Sequence, residues 1–448
     1  MGIVDKSRYD QSMNTSIDGI KMVSIVMPVY NAAEFINDSI DDVLNQTFTD
    51  FELICVNDGS TDDTASILEE KAEIDNRIIV IHQANKGGGA ARNAGMGHAC
   101  GKYITFWDAD DRFEPDLLEL SVEELESNNH DMVVYDGDAF DYYSGEHKDA
   151  PWLIKNKNYM SGTCPFICFN TTVWNKIFNR EFIEKKGFRF SEGKAAYSTS
   201  FSALAMMYAS GIGVVNKVLY HYRTNNPNSN VVNEDKDPTA IVTALSEVRN
   251  RLVKDGMLAT KAGDFQVLCE DVLIQRLRLL RTYAGFAELY NRLHISGIDE
   301  LGLLDRDGTD KENALNPFTD IRELTLDQYL FAKISSLRKS GIINTENYIL
   351  PAISDDVRQI VLYGAGNVGK DYFVQIIKQS TKKLVGWVDR NYANYGYPIQ
   401  SPENLCDMEF DAVIIGVLEE KVAMAIKADV MKKGVSETKV IWAKPVSV

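Results

Sequence analysis

Apolar positions in the first half of the chain fall into short runs separated by stretches of helical spacing. "VSIVMPVY", "FELICVND", "RIIVIHQ", "YITFWDAD" and "DMVVYDGD", taken in order from Val23, each read as a strand. Between the first two, Phe35, Ile36, Ile40, Val43 and Leu44 recur on one helical face. Ile67 and Leu68 do the same in "DDTASILEEKAEI", where Asp62 or Asp63 is placed to cap the helix. Strands alternating with helices predict βαβ units, and so an α/β fold on a mostly parallel sheet. Ligands on such sheets bind beyond the carboxyl ends of the strands. Asp58, Asp108 and Asp110 fall there.

The pattern changes twice. Residues 236–350 read as helical, with Ile241, Leu245, Val248 and Leu252 on one apolar face. "VLCEDVLIQRLRLLRTYAGF" is apolar nearly all round, as expected of a buried or interfacial helix, and carries the basic cluster Arg276, Arg278 and Arg281. "LDRDGTDKENALNPF" reads as a polar loop. From residue 356 to 448, "RQIVLYGAGNVGKDYF" is a strand, a glycine-rich turn and a helix, and "KLVGWVDRN", "FDAVIIGV" and "TKVIWAKP" are later strands. With the first region set at 22–235, three parts are expected, the last a small Rossmann-like α/β domain.

Composition adds exclusions. The 448 residues are 45% hydrophobic and 25% charged, with a net charge of −18 that opposes binding to nucleic acid. No apolar run approaches the roughly 18 residues that span a bilayer. Residues 1 to about 21 read as a polar tail without a secretory signal. Six cysteines scattered through a chain of this size read as reduced thiols, so a cytoplasmic protein is expected. Cys164 and Cys168 have no second pair of Cys or His at metal-site spacing.

In "KYITFWDADDRF", Asp108, Asp110 and Asp111 stand within four positions at a strand end. Ionised carboxylates that close repel one another. A solvated turn or a divalent cation relieves that.

The surrounding residues carry a resemblance. "VSIVMPVYNAAEFINDSIDDVLNQTFTDFELICVNDGSTDDT", "NKGGGAARNAG", "GKYITFWDADD", "TVWNKIFNREFIEKKGFRFSEG" and "VLYHYRTN" follow one another over about 200 residues. Together they resemble the family 2 glycosyltransferases, which have the GT-A fold. The resemblance implies a nucleotide-sugar donor, typically a UDP-sugar, and a Mn²⁺ or Mg²⁺ ion that neutralises the departing diphosphate. It implies Asp110 as the direct metal ligand and Asp108 facing the ribose or the metal. By the same resemblance Asp58 matches the carboxylate that reads the nucleobase, Pro28 and Tyr30 match residues that line the base pocket, and Arg92 matches a position near the nucleotide where it would offset diphosphate charge. "KGGGAARN" lacks the G-K-[ST] ending of a P-loop.

One element departs from the family. Inverting transfer needs a general base for the acceptor hydroxyl. The family carries it on a helix start shortly after F-x-E-G, which falls here on Tyr197 to Thr199, around Ser198. No Asp or Glu occurs from Gly193 to Asn233. Glu192 and His221 are the candidate replacements, and a degenerate, non-catalytic binder or scaffold is the rival reading.

A second motif lies near the C-terminus. Gly364, Gly366 and Gly369 form G-A-G-N-V-G between a strand and a helix, with Asp389 at the end of the next strand. That context matches a dinucleotide fingerprint: glycines for the turn and phosphate approach, a helix N-terminus for phosphate, and an acid for ribose hydroxyls. Gly364 is the position expected to let the backbone approach a phosphate. NAD or a similar nucleotide is the implied ligand, and an NAD(P)-dependent oxidoreductase the alternative function. The expected protein is a cytoplasmic, metal-dependent glycosyltransferase of surface polysaccharide assembly. Its acceptor is a glycan or lipid-linked molecule, with self-association or peripheral contact at the inner membrane face.

Overall fold

The computed structural model describes residues 23–446 apart from 157–158, 161–162, 193–196, 227–236, 281–282, 304–317, 319–320, 323, 327–328, 330–347, 378–380 and 396–398. The polar tail, the loop over 304–317, Arg281 and the Arg278 side chain lie outside the described residues. Contacts divide the chain into Met1–Pro227 and Asn228–Val448.

In the first unit, β1 (Val23–Val29), β2 (Phe51–Asn57), β3 (Ile78–His82) and β4 (Tyr103–Phe106) alternate with α1 (Ile36–Leu44), α2 (Thr64–Ile74) and α3 (Gly88–Met96). Then come β5 (Arg112–Phe113), α4 (Leu117–Asn128), β6 (Met132–Asp141) and β7 (His147–Asp149). The unit continues through α5 (Pro165–Cys168), β8 (Lys176–Asn179), α6 (Arg180–Lys186), α7 (Tyr197–Tyr208) and β9 (Ile212–Thr224). One nine-stranded sheet results, in the order β3-β2-β1-β4-β8-β6-β9-β5, with β7 beside β6.

The first four strands pair in parallel. They read as near-continuous apolar runs because helices cover both faces. The rest corrects the expectation of a mostly parallel sheet. β8 is antiparallel to β4 and β6, β7 to β6, and β5 to β9, while β6 and β9 pair in parallel. β8 has four residues and β5 two, too short for a readable period, and register shifts near Tyr135 and Asp136 break the match of β6 to β9. At the start of α2 the Asp63 side chain makes no capping bond; Asp62 accepts from the Thr64 and Ala33 amides instead (both 3.2 Å).

Two local choices fix the site end of the sheet. Pro28 stands beyond the last β1–β4 pair, Val26–Phe106, so its missing N–H removes no bond on that side. On α3, a Cβ at Gly95 would lie 2.4 Å from Val26 Cγ1. Gly95, the last glycine of the "GGGAARNAG" run, therefore serves close packing of a helix on a strand.

The second unit opens with α8 (Ala240–Lys254), α9 (Leu258–Leu279) and α10 (Tyr283–Arg292), a π-turn at Leu293–Gly297 and α11 (Ile298–Leu301). Ile241, Leu245, Val248 and Leu252 are buried, as their spacing predicts. A four-stranded parallel sheet follows, β11-β10-β12-β13, from β10 (Gln359–Tyr363), β11 (Lys383–Val388), β12 (Ala412–Ile415) and β13 (Val440–Ile441). Ile360, Leu362 and Ile414 face α12 (Asn367–Ile377), where Phe373 stacks on Trp387 (4.6 Å between centroids). Val361, Tyr363, Val413 and Ile415 face α14 (Glu420–Lys432), which follows the short α13 (Tyr392–Tyr395). Ala287 of α10 joins the Phe373 side. The expected division between 350 and 356 thus falls inside this unit. All six cysteines are free. Among the described residues, no helix is long and apolar enough to cross a membrane.

The glycine-rich turn explains itself in contacts. Gly364 has φ +112°, and a Cβ there would sit 2.7 Å from the Gly416 carbonyl oxygen. A Cβ at Gly369 would sit 1.9 Å from the Gly364 carbonyl oxygen, whereas at Gly366 it would meet nothing within 4 Å. We expect Gly369→Ala to destabilise the second unit by about 1–3 kcal/mol, the usual range for overpacking. Gly366→Ala should stay within about 0.5 kcal/mol of wild type. Urea unfolding of both variants checks the contrast.

Candidate functional site

Parallel pairing of β1, β2 and β4 brings their carboxyl ends to one edge. Tyr30 follows β1 there and is exposed, and Asp58 follows β2, with its amide donating to the Val29 carbonyl (2.8 Å). Asp58 is buried. Its carboxylate accepts from the Lys86 and Gly87 amides (2.9 and 2.8 Å) and from the Gln83 side-chain amide (2.7 Å). The acid expected to read a nucleobase thus holds the β3–α3 loop in place.

Asp108 and Asp110 leave the end of β4. Arg92, buried on α3, pairs with Asp108 and lies over the Phe190 ring (5.8 Å). The Asn226 amide donates to Asp110 Oδ2 (2.8 Å), and Arg223 Nε to the Asp110 carbonyl (2.6 Å). Burial, and then the Asp108 charge, raise the Asp110 carboxyl above the usual carboxylate range.

Asp111 does a different job. It is fully buried and accepts from the Tyr220 hydroxyl (2.6 Å) and the Arg223 amide (2.8 Å). The same hydroxyl accepts from the Asp108 amide (3.1 Å). Burial first, then Asp110 and Asp108, push the Asp111 carboxyl well above its ordinary value. Burial likewise pushes the Tyr220 hydroxyl well up, which keeps it a donor. Arg223 is clamped between the Phe35 and Phe140 rings (4.6 and 4.4 Å). Sequence reasoning did not single out Tyr220, Arg223 or Asn226, although the first two lie inside "VLYHYRTN".

Among the proposed ligands, two carboxylates at one strand end with a raised pKa on Asp110 fit a divalent cation, which would relieve the repulsion. A pair is also what Mg²⁺ or Mn²⁺ uses when substrate phosphates complete its shell. The metal would be held by Asp110 and Asp108.

The candidate bases separate. Asn93, next to Arg92 on α3, donates to Glu192 Oε1 (3.0 Å) and exchanges hydrogen bonds with the Phe190 backbone (2.9 Å each way). Phe190 stacks on Phe201 of α7 (4.1 Å, 8°). Glu192 is exposed. Ser198 is half-buried on the first turn of α7, followed by buried Thr199 and Ser200. Residues 193–196 and the Tyr197 side chain lie outside the described residues. His221 is ruled out as a free base, because Nδ1 faces Asp138 (2.6 Å) and Nε2 faces Glu114 (3.0 Å).

In the second unit Asp389 accepts from the Ala365 and Asn391 amides (both 2.7 Å). The acid expected to bind ribose hydroxyls therefore shapes the turn. Gly364 and Gly369 face backbone, whereas a Cβ at Gly366 would meet nothing within 4 Å.

Residues 24–187 match the family model described as Glycosyl transferase family 2. Residues 24–187 thus carry a family 2 glycosyltransferase domain. Residues 356–441 match a model described as C2185-like, N-terminal. The chain is 36% identical over 223 residues to the uncharacterized glycosyltransferase EpsJ of Bacillus subtilis (strain 168), covering 47% of the chain and 63% of EpsJ. It is 29% identical over 238 residues to glycosyltransferase GlyA of Streptococcus pneumoniae serotype 4, covering 50% of the chain and 34% of GlyA. The chain thus spans less than two thirds of either relative. In fold it is similar to S. aureus TarS 1-349 in complex with UDP-GlcNAc, with a TM-score of 0.55 and 19% identity over 74% of this chain and 95% of that one.

The raised Asp111 pKa has a sign that can be measured. The folded protein holds this proton more tightly than the unfolded chain, whose Asp titrates near about 3.9. Stability from this group is therefore lost as pH rises from there through the raised native value. Asp111→Asn lacks that dependence. The wild-type advantage over the variant should shrink from acidic to neutral pH in urea midpoints. An advantage that grows with pH would mean that ionised Asp111 stabilises the fold.

Proposed function

We propose that the chain transfers a sugar from a nucleoside diphosphate donor, a UDP-sugar by family resemblance, to a hydroxyl of a glycan or lipid-linked acceptor. The observation that carries this reading is the Asp108–Asp110 pair at the end of β4, opposed by buried Arg92 and held by Tyr220, Arg223 and Asn226. Tyr30 and the strand end at Pro28 offer a surface for the nucleobase, and Asp58 contributes by fixing the loop before α3. A divalent cation at Asp110 and Asp108, when bound, supplies Lewis-acid neutralisation of the leaving diphosphate. Arg92 adds fixed positive charge on the same side.

The acceptor oxygen attacks the anomeric carbon as the bond to the diphosphate oxygen breaks, with inversion by family resemblance. Its proton goes to Glu192. Glu192 is favoured over Ser198 because a carboxylate accepts a proton where a hydroxyl is too weak a base, and because Asn93 ties it to the helix that bears Arg92. On this reading residues 22–235 bind donor and perform transfer. Residues 236–350 support the third part, 356–448, which binds a nucleotide at Gly366 and the N-terminus of α12. The setting is surface polysaccharide assembly at the inner face of the membrane. The rival, a donor-binding protein without turnover, is favoured by one observation: the first turn of α7 offers hydroxyls and no acid.

Asp110→Asn should abolish the Mn²⁺-dependent gain in UDP affinity, measured by calorimetric titration with and without the ion. Gly366→Val should leave that gain intact. Equal loss in both variants would place the two nucleotide sites in one.

Glu192→Gln should lower transfer by about 10²–10⁴-fold, the usual contribution of a general base, with UDP affinity unchanged. Full transfer in the variant would move the base elsewhere. Absent transfer in wild type, restored by Ser198→Asp or Thr199→Asp, would support the degenerate enzyme instead.

A further inference from the structure

The sheet carries a second group of metal-type side chains, distinct in chemistry from the aspartates after β4. Asp138 on β6, His147 on β7 and His221 on β9 each offer one ligand atom, and these atoms lie within 4.8 Å of one another. Strand pairing puts them there. Asp138 is the direct partner of His221 across β6 and β9. His147 is opposite Phe140 in the β6–β7 hairpin, two residues from Asp138 and so on the same face. We propose that this row binds a zinc-class cation.

The distances suit it. Asp138 Oδ2 is 2.8 Å from His147 Nδ1, and Asp138 Oδ1 is 2.6 Å from His221 Nδ1. Tetrahedral bonds of about 2.0–2.1 Å place ligand atoms roughly 3.3 Å apart. Small rotations about the side-chain bonds open the present hydrogen bonds to that spacing. Two imidazoles and one carboxylate select Zn²⁺, Co²⁺ or Ni²⁺ over Mg²⁺, whereas the oxygen-only pair Asp108–Asp110 suits Mg²⁺ or Mn²⁺.

Glu114 supplies the feature that separates a ligand set from a chance meeting of polar groups. Its Oε1 lies 3.0 Å from His221 Nε2. When a cation replaces the present contact of Nδ1 with Asp138, a carboxylate at Nε2 holds the hydrogen on that nitrogen while Nδ1 ligates the metal. This is the carboxylate–histidine–metal relay that orients ligating imidazoles. Glu114 is thus a positioning residue. His147 is 53% exposed at its side chain, against 16% and 17% for His221 and Asp138, so the site opens to solvent and leaves a fourth position for water. His147 also stacks on Phe140 (5.5 Å, 19°), the ring beneath Arg223. A bound cation would pin the hairpin that holds that ring.

Metal-stripped full-length protein, titrated with Zn²⁺ by calorimetry and with Co²⁺ by visible absorption, tests this. The expected result is one site present in wild type and in Asp110→Asn but lost in His147→Ala. Glu114→Gln should weaken it by about 10–100-fold, as removal of a partner behind a ligand does. His147 is exposed, so its removal should leave metal-free thermal unfolding unchanged. Zn²⁺ affinity that is the same in wild type and His147→Ala would overturn the proposal. So would the absence of binding, leaving only a hydrogen-bonded row, or loss of the site in Asp110→Asn.

Discussion

A single buried carboxylate organises the candidate site. Asp111 sits fully out of water and is tied to the Tyr220 hydroxyl and the Arg223 amide, both on β9. A buried acid without such partners would cost several kcal/mol, so the end of β4 is locked to β9 wherever the fold forms. Everything at the site hangs from that lock. Tyr220 receives the Asp108 amide, and Arg223, clamped between Phe35 and Phe140, receives the Asp110 carbonyl. The two partly buried acids, Asp108 and Asp110, are held in place because the fully buried one is fixed.

Charge is arranged around this lock by burial. Arg92 is almost wholly enclosed yet reaches Asp108, while burial and the Asp108 charge raise the Asp110 carboxyl above the usual carboxylate range. Gly95, one turn after Arg92, lets α3 lie against Val26 of β1, and the same helix carries the guanidinium to the strand end. In the second unit small residues work in the same way. Gly364 and Gly369 bring the turn against Gly416 and against each other, and only Gly366 looks outward.

The parallel half of the large sheet was legible because its strands are buried on both faces and read as apolar runs between helical patterns. The short antiparallel strands β5, β7 and β8 were not. Two to four residues carry no period, and their pairing is set by partners far along the chain. Asp108, Asp110, Arg92 and Glu192 were visible as motif residues. The duties of Asp58 and Asp389 were not, since backbone amides from distant loops claim their oxygens. Tyr220 and Arg223 escaped notice for a related reason: an aromatic and a base on an apolar strand look like core and surface until the strand opposite is known.

Arg92 and Asn93 are neighbours on α3, one turned to the acids after β4 and the other to Glu192. The contact of Gly95 with Val26 leaves that helix no room to tilt. The groups that reach Asp108 and Glu192 therefore leave adjacent positions of one helix. Glu192, anchored by the Asn93 amide, and Asp108, paired with Arg92, thus share one support, so any displacement of α3 shifts both carboxylates together.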